Sequence, residues 1–179
     1  MVLIAFTGRK RSGKDTCAKY LVEKYNFTNK SFARPLKSAC QILFNLDDSQ
    51  LEKTKDVVDP RWNQTPRDMM ISVGSEIVRN QLDEDHFVKL MEMELESVME
   101  MNKNTCISDL RFINEATLVE KLNGFIIKVE RKGVEHGNHV SETEMDKISP
   151  DMRIQNNGTL HDLYESLDNI ISEILLHTE

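Results

Sequence analysis

Residues 2–14 read Val-Leu-Ile-Ala-Phe-Thr-Gly-Arg-Lys-Arg-Ser-Gly-Lys, and no other stretch restricts the fold so tightly. The unbroken apolar run Val2 to Phe6 suits a parallel strand covered on both faces. Gly8 to Lys14 then fits G-x-x-x-x-G-K, and Ala18, Leu21 and Val22 follow at helical spacing, predicting a helix over 14–25. Strand, glycine loop and helix in this order form the setting in which the motif cradles phosphate. The glycines let successive N–H groups face one phosphate chain, and the helix N-terminus adds its partial positive charge. Lys14 then reaches the β- and γ-phosphates. The candidate ATP-binding set is Gly8, Arg9, Arg11, Ser12, Gly13, Lys14, Asp15 and Thr16. Arg9, Lys10 and Arg11 bring further positive charge, with some of them directed to solvent.

The position after Lys14 usually carries a hydroxyl that helps to bind Mg²⁺, but here Asp15 stands there and Thr16 follows. The one-place shift is similar to that of adenylate kinase and its relatives. Thr16 is then expected at the α-phosphate, with Mg²⁺ held mostly through water and nucleotide oxygens. Asp15 suits the metal shell, the acceptor, or simple stabilisation of a helix N-terminus.

Charge supports a compact polyanion as ligand. Of 23 Lys/Arg and 30 Asp/Glu, residues 1–40 hold nine and two, leaving fourteen and twenty-eight for the rest. An acidic body argues against a nucleic-acid polymer, while a basic cluster within it fits a nucleotide. A length of 179 residues suits one domain with one substantial core. No apolar run is long enough to span a membrane, and the N-terminus runs straight into the loop, so a cytoplasmic protein is expected. Cys17, Cys40 and Cys106 lack metal-like spacing and read as buried free thiols of a reducing compartment.

Further along, a short strand is predicted near 27–32 and a helix opening at Pro35 with Leu36, Ala39, Cys40 and Leu43. Residues 47–102 read as helical throughout, with a start at Thr65-Pro66 and Met69, Met70, Val73 and Ile77 facing inward. Methionines there read as core filling. Strands follow at 105–108 and 125–129, separated by a helix that Gly124 ends, and a short one at 153–155. Residues 132–150 are polar and suggest a loop or lid; Thr159 and Asp162 resemble a capping box before a last amphipathic helix. Alternating strands and helices imply a parallel sheet. Asp109 then lies at the C-terminal end of the third strand beside the phosphate loop, with Arg111 two residues on.

Gly13-Lys-Asp-Thr16, Phe32-Ala-Arg-Pro-Leu-Lys37, Thr65-Pro-Arg67, Gly74-Ser-Glu76 with Arg79, Asp109-Leu-Arg-Phe-Ile-Asn-Glu115, His139-Val-Ser-Glu142 and Asn156-Asn-Gly158 occur in this order. Together they resemble the deoxynucleoside monophosphate kinases of bacteriophages and other large DNA viruses, over nearly the whole chain. The resemblance implies a P-loop three-layer α/β/α fold with a five-stranded parallel sheet. It implies a core of about 1–46 and 103–179, a helical acceptor-binding insertion of about 47–102, and a lid of about 132–150. Arg34, Lys37, Arg67 and Arg79 then belong to the acceptor side, where guanidinium forks suit a monophosphate dianion. Trp62 stacks on a base or anchors the insertion, the anchor being favoured. Arg131 is expected at transferred phosphate or adenine; His139 and Glu142 fit lid hydrogen bonding better than a metal. The lids of typical relatives carry several arginines, and this one has few.

The expected reaction is in-line phosphoryl transfer from MgATP to a deoxynucleoside 5′-monophosphate. Lys14, Asp109, Arg111 and Arg131 are the catalytic candidates, and Asp15, Thr16 and Asp109 those for Mg²⁺, through water. Dephospho-coenzyme A kinase, phosphomevalonate kinase and a nucleotide-gated binding module are the alternatives. Partners are small nucleotides, with a homodimer left open.

Overall fold

The computed structural model describes residues 1–134 and 140–176. Its chain divides into two compact units, Met1–Ser31 with Glu92–Glu179, and Phe32–Met91. The first unit holds a five-stranded sheet of β1 (Leu3–Thr7), β2 (Thr28–Lys30), β3 (Thr105–Leu110), β4 (Phe125–Glu130) and β5 (Met152–Gln155). Every pairing is parallel and the order is β2-β3-β1-β4-β5. Helices α1 (Lys14–Tyr25), α6 (Ile113–Lys121), α7 (Val140–Met145) and α8 (Leu160–Leu176) also belong to this unit. All five residues of β1 are buried, which explains its continuous apolar run.

One face of β1, through Ile4 and Phe6, together with Val2 just before it, packs with Cys17, Ala18 and Leu21 of α1 and with Leu163, Leu167, Ile171 and Ile174 of α8. Asp168 joins the two helices: it accepts from the hydroxyls of Tyr20 and Tyr25 at 2.9 and 2.8 Å and pairs with Lys24 at 2.7 Å. Tyr164 stacks on Tyr20 with ring centroids 3.9 Å apart. Strand β1 lies between β3 and β4, so connections leave it toward both sides and a crevice opens beyond its C-terminal end.

The second unit holds α2 (Arg34–Phe44), α3 (Asp48–Glu52), α4 (Pro66–Ile71) and a π-helical segment, Ser72–Leu82. The remaining helix, α5, runs His86–Glu100. Cys40, Leu46, Leu51 and Met69 form the second unit's core. Thr65 caps α4 by accepting from the Asp68 amide, and Pro66 occupies the first helical position as expected.

Several local expectations are corrected. Residues 53–65 are turns, not helix, with an isolated bridge between Asp59 and Gln64 and a left-handed Asn63. The i→i+5 bonding of the π-helical segment widens its turns, so the side chains that follow depart from α-helical phase. Ile77 is therefore 45% exposed, and Leu43 of α2 lies outside as well. Met69 and Met91 fill cores, whereas Met93, Met99 and Met101 are exposed. At the end of α6 the left-handed residue is Asn123, with φ 53°. Gly124 is needed instead for space, because a Cβ there would crowd Leu3 and Val119. All three cysteines are buried free thiols. No helix among the described residues is long and apolar enough to cross a membrane.

Candidate functional site

The loop from Gly8 to Gly13 is held by its own backbone and by two neighbours. Gly8 has φ 139°, and a Cβ there would collide with the Val129 carbonyl oxygen of β4. Gly13 has φ 113°, and its Cβ would lie 2.5 Å from Nδ2 of Asn156. Arg11, at the tip, is left-handed with φ 65°. Lys14 is buried, and its ammonium donates to the carbonyls of Gly8 and Arg9 at 2.5 and 2.8 Å. No side chain caps the start of α1, so its first N–H groups stay available to an anion. Among the described residues the buried hydroxyls of Thr7 and Ser12 have no hydrogen-bond partner, marking a polar environment that the loop alone does not satisfy.

A cavity of about 350 Å³ opens against this loop. Arg11, Gly13, Lys14, Asp15, Thr16 and Arg131 line it, with Asn156, Gly158, Leu160 and Leu163. Lysine and arginines thus share one hollow with an uncapped helix N-terminus and a short apolar wall. Such a combination has the chemistry to suit a polyphosphate joined to an apolar ring. Arg9 is tied elsewhere: its guanidinium pairs with Asp146 at 2.8 Å, and Lys128 lies 3.8 Å from the same carboxylate.

At the end of β3, Asp109 precedes Leu110, the register partner of Thr7, so its backbone lies beside the end of β1, where the phosphate loop begins; neither Asp109 nor Arg111 lines the cavity at that loop. The Asp109 carboxylate accepts from the Ser31 hydroxyl at 2.8 Å. The backbone that carries Arg111 is fixed by Glu115, only 2% exposed, which accepts from the amides of Arg111 and Phe112 at 2.9 and 3.2 Å. Thr16, Asp15 and Asp109 are hard oxygen donors of the kind Mg²⁺ prefers. Among the described residues no group of three or more His, Cys, Asp or Glu could hold a metal.

In the second unit, Lys37 pairs with Glu52 and Arg67 with Asp56, each at 2.5 Å and each at the surface. Arg79 donates to the Glu84 carbonyl at 3.2 Å and lies 5.1 Å from the Phe87 ring centre. Arg34 is exposed at the first residue of α2. Trp62 is 45% exposed; its indole N–H donates to the Phe44 carbonyl at 2.9 Å and its ring meets that of Phe44 edge-on. A hollow of about 640 Å³ in this unit is lined by Leu46, Gln50, Val57, Asp59 and Arg61 among others, but not by Arg34, Lys37, Trp62, Arg67 or Arg79. His139 and the side chain of Glu142 lie outside the described residues, as do 135–138 of the expected lid.

Asn156 and Leu160 have no place in the sequence-based site. Leu160 reads as part of the apolar stripe of α8 yet is 54% exposed on the cavity wall. Leu160 is in phase with the buried stripe, so only its place as the first residue of the helix, next to the Asn156-Asn-Gly158 turn, set it apart in the sequence.

Comparison with known proteins agrees with this architecture. The family model for deoxynucleotide monophosphate kinase matches residues 2–65 and 48–167. A protein of Acanthamoeba polyphaga mimivirus named "Putative deoxynucleotide monophosphate kinase" is 38% identical over 182 residues, covering 93% of this chain and 94% of its own. Dephospho-CoA kinase from Campylobacter jejuni superposes with a TM-score of 0.57 at 15% identity, over 99% of this chain and 98% of that one. Shikimate kinase from Aquifex aeolicus gives 0.50 at 14% identity, over 98% and 99%. These two share the P-loop kinase fold with the chain; the family match and the viral relative, which spans nearly its whole length, go further, and the chain belongs to the deoxynucleotide monophosphate kinase family.

Proposed function

We propose that the protein transfers the γ-phosphoryl group of MgATP to the 5′-phosphate of a deoxynucleoside monophosphate, giving ADP and the deoxynucleoside diphosphate. An acceptor phosphate oxygen attacks the γ-phosphorus as the bond to the β–γ bridging oxygen breaks. The observation that carries this reading is the cavity in which Lys14, Arg11 and Arg131 converge on the uncapped start of α1. An ionised acceptor oxygen needs no strong base, so positioning and charge neutralisation carry the rate. Lys14 exchanges its carbonyl partners for the β- and γ-phosphates. The amides of Gly8 to Lys14 hold the phosphate chain, and Leu160 and Leu163 face the base. Arg111 and Arg131 neutralise developing charge. Mg²⁺, when bound near Thr16, Asp15 and Asp109, screens charge on the phosphate oxygens.

Arg34, Lys37, Arg67 and Arg79 take the acceptor. The partners of Lys37 and Arg67 are exposed carboxylates, and such ion pairs contribute little, so a phosphate dianion displaces them at low cost. Trp62 anchors the insertion through Phe44. The test is ADP formation from MgATP with each deoxynucleoside monophosphate, its ribo-counterpart and dephospho-coenzyme A as separate acceptors. Rapid turnover with one or more deoxynucleotides is expected. Turnover confined to dephospho-coenzyme A, or with no acceptor, overturns the reading.

A further inference from the structure

The turn Asn156-Asn-Gly158, between β5 and α8, reaches both halves of the donor cavity. The Asn156 side chain is buried, and its Nδ2 donates to the Ser12 carbonyl of the phosphate loop at 2.7 Å. The Asn156 amide donates to the Glu130 carbonyl at 2.7 Å, and Oδ1 of Asn157 accepts from the Lys132 amide at 2.8 Å. These last two bonds fall on the residues immediately before and after Arg131. The turn is also bonded toward α8. Its far side is closed by Thr159, whose amide donates to Asp162 at 2.7 Å, and a Cβ on Gly158 would collide with that carboxylate.

We infer that Asn157 is a positioning residue for nucleotide binding, holding the backbone at Lys132 so that Arg131 stays over the donor cavity at a spacing from the phosphate loop that Asn156 sets. The inference rests on the reading of that cavity as the ATP site, but not on the identity of the acceptor. Arg131 is exposed and follows the end of β4, so its own packing does not fix it. A long cation on an unfixed backbone samples many positions, and small displacements of a charged group lose much of its effect.

The experiment measures MgATP affinity by titration calorimetry, without acceptor, for the unaltered protein, Asn157→Ala, Asn157→Asp, Arg131→Ala and the double variant Arg131→Ala/Asn157→Ala. Circular dichroism and melting temperature check that each folds; Asn157 is exposed, so the fold is expected to survive. Loss of one hydrogen bond predicts that Asn157→Ala weakens ATP about 3- to 10-fold. Asn157→Asp keeps the acceptor oxygen and recovers most of that loss. In the Arg131→Ala background Asn157→Ala adds nothing, because its effect passes through the arginine. Additive losses, an unchanged affinity, or an aspartate variant as weak as the alanine one would each overturn the inference. ATP binding without turnover of any deoxynucleotide would remove the proposed reaction and leave this inference standing; no ATP binding at all would remove both.

Discussion

Lys14 is buried among the carbonyls of its own loop, so its charge is aimed before any ligand arrives. Lys14→Ala should lower kcat by about 100-fold or more, the scale of losing one preorganised electrostatic contact. ADP formation with the preferred deoxynucleotide, alongside a circular dichroism spectrum, checks this; near-normal turnover would remove Lys14 from the mechanism. The cysteines give a second test. Burial pushes the thiols of Cys17 and Cys106 up to about 12 and that of Cys40 up to about 11. At pH 8 all three then stay protonated and sheltered, so a disulfide reagent should find almost no fast thiol until denaturant is added. A prompt native titre would contradict the burial. The phosphate loop was legible because seven consecutive residues, Gly8 to Lys14, contain it. Asn156 was not, because its bond to Ser12 joins positions 144 residues apart and leaves no local pattern.

Between elements, the clearest junction is that of α1 with α8 through Asp168. Burial alone would raise its carboxyl, but hydrogen bonds from Lys24, Tyr25 and Tyr20 more than offset this and hold it below its ordinary value. Asp168→Ala should lower stability by about 1–2 kcal/mol, the scale of the hydrogen bonds lost, as read by denaturant unfolding. In the second unit, the guanidinium of Arg61 beside Asp59 holds that carboxyl well below the usual carboxylate range. A depressed folded pKa gives stability that is fully present above the unfolded value, about 4, and lost as pH falls toward the folded one. Melting temperatures measured from pH 5 down to 3 should therefore drop more steeply for the unaltered protein than for Asp59→Asn; parallel curves would deny the pair that role. Most elements were legible from periodicity to within a residue or two. The π-helical segment was not, since Ser72–Leu82 is equally compatible with an α-helix until packing selects the wider turn. The turns at 53–65 were hidden by helix signals on both sides.

For the molecule as a whole, the parallel sheet followed from alternating strands and helices, whereas the strand order β2-β3-β1-β4-β5 did not, because right-handed crossovers allow more than one order. Nor did the grouping of α2 with the second unit, because it depends on Cys40 meeting Leu51 and Met69 across sequence. A formal net charge of −7 sets the expected response to a polymer: duplex DNA at physiological salt should leave MgATP binding unaffected, and displacement of ATP by DNA would contradict that. The placing of β1 at the middle of the sheet and β5 at its edge has a further consequence. Amide protons of a central, fully buried strand exchange only through global opening, whereas an edge strand frays at much lower free energy. Strand β5 leads directly into the turn that brackets Arg131, while β1 leads into the loop that bears Lys14. On the proposed reading, opening of the β5 edge would therefore release both the backbone around Arg131 and the Asn156 bond to Ser12 before β1 itself yields.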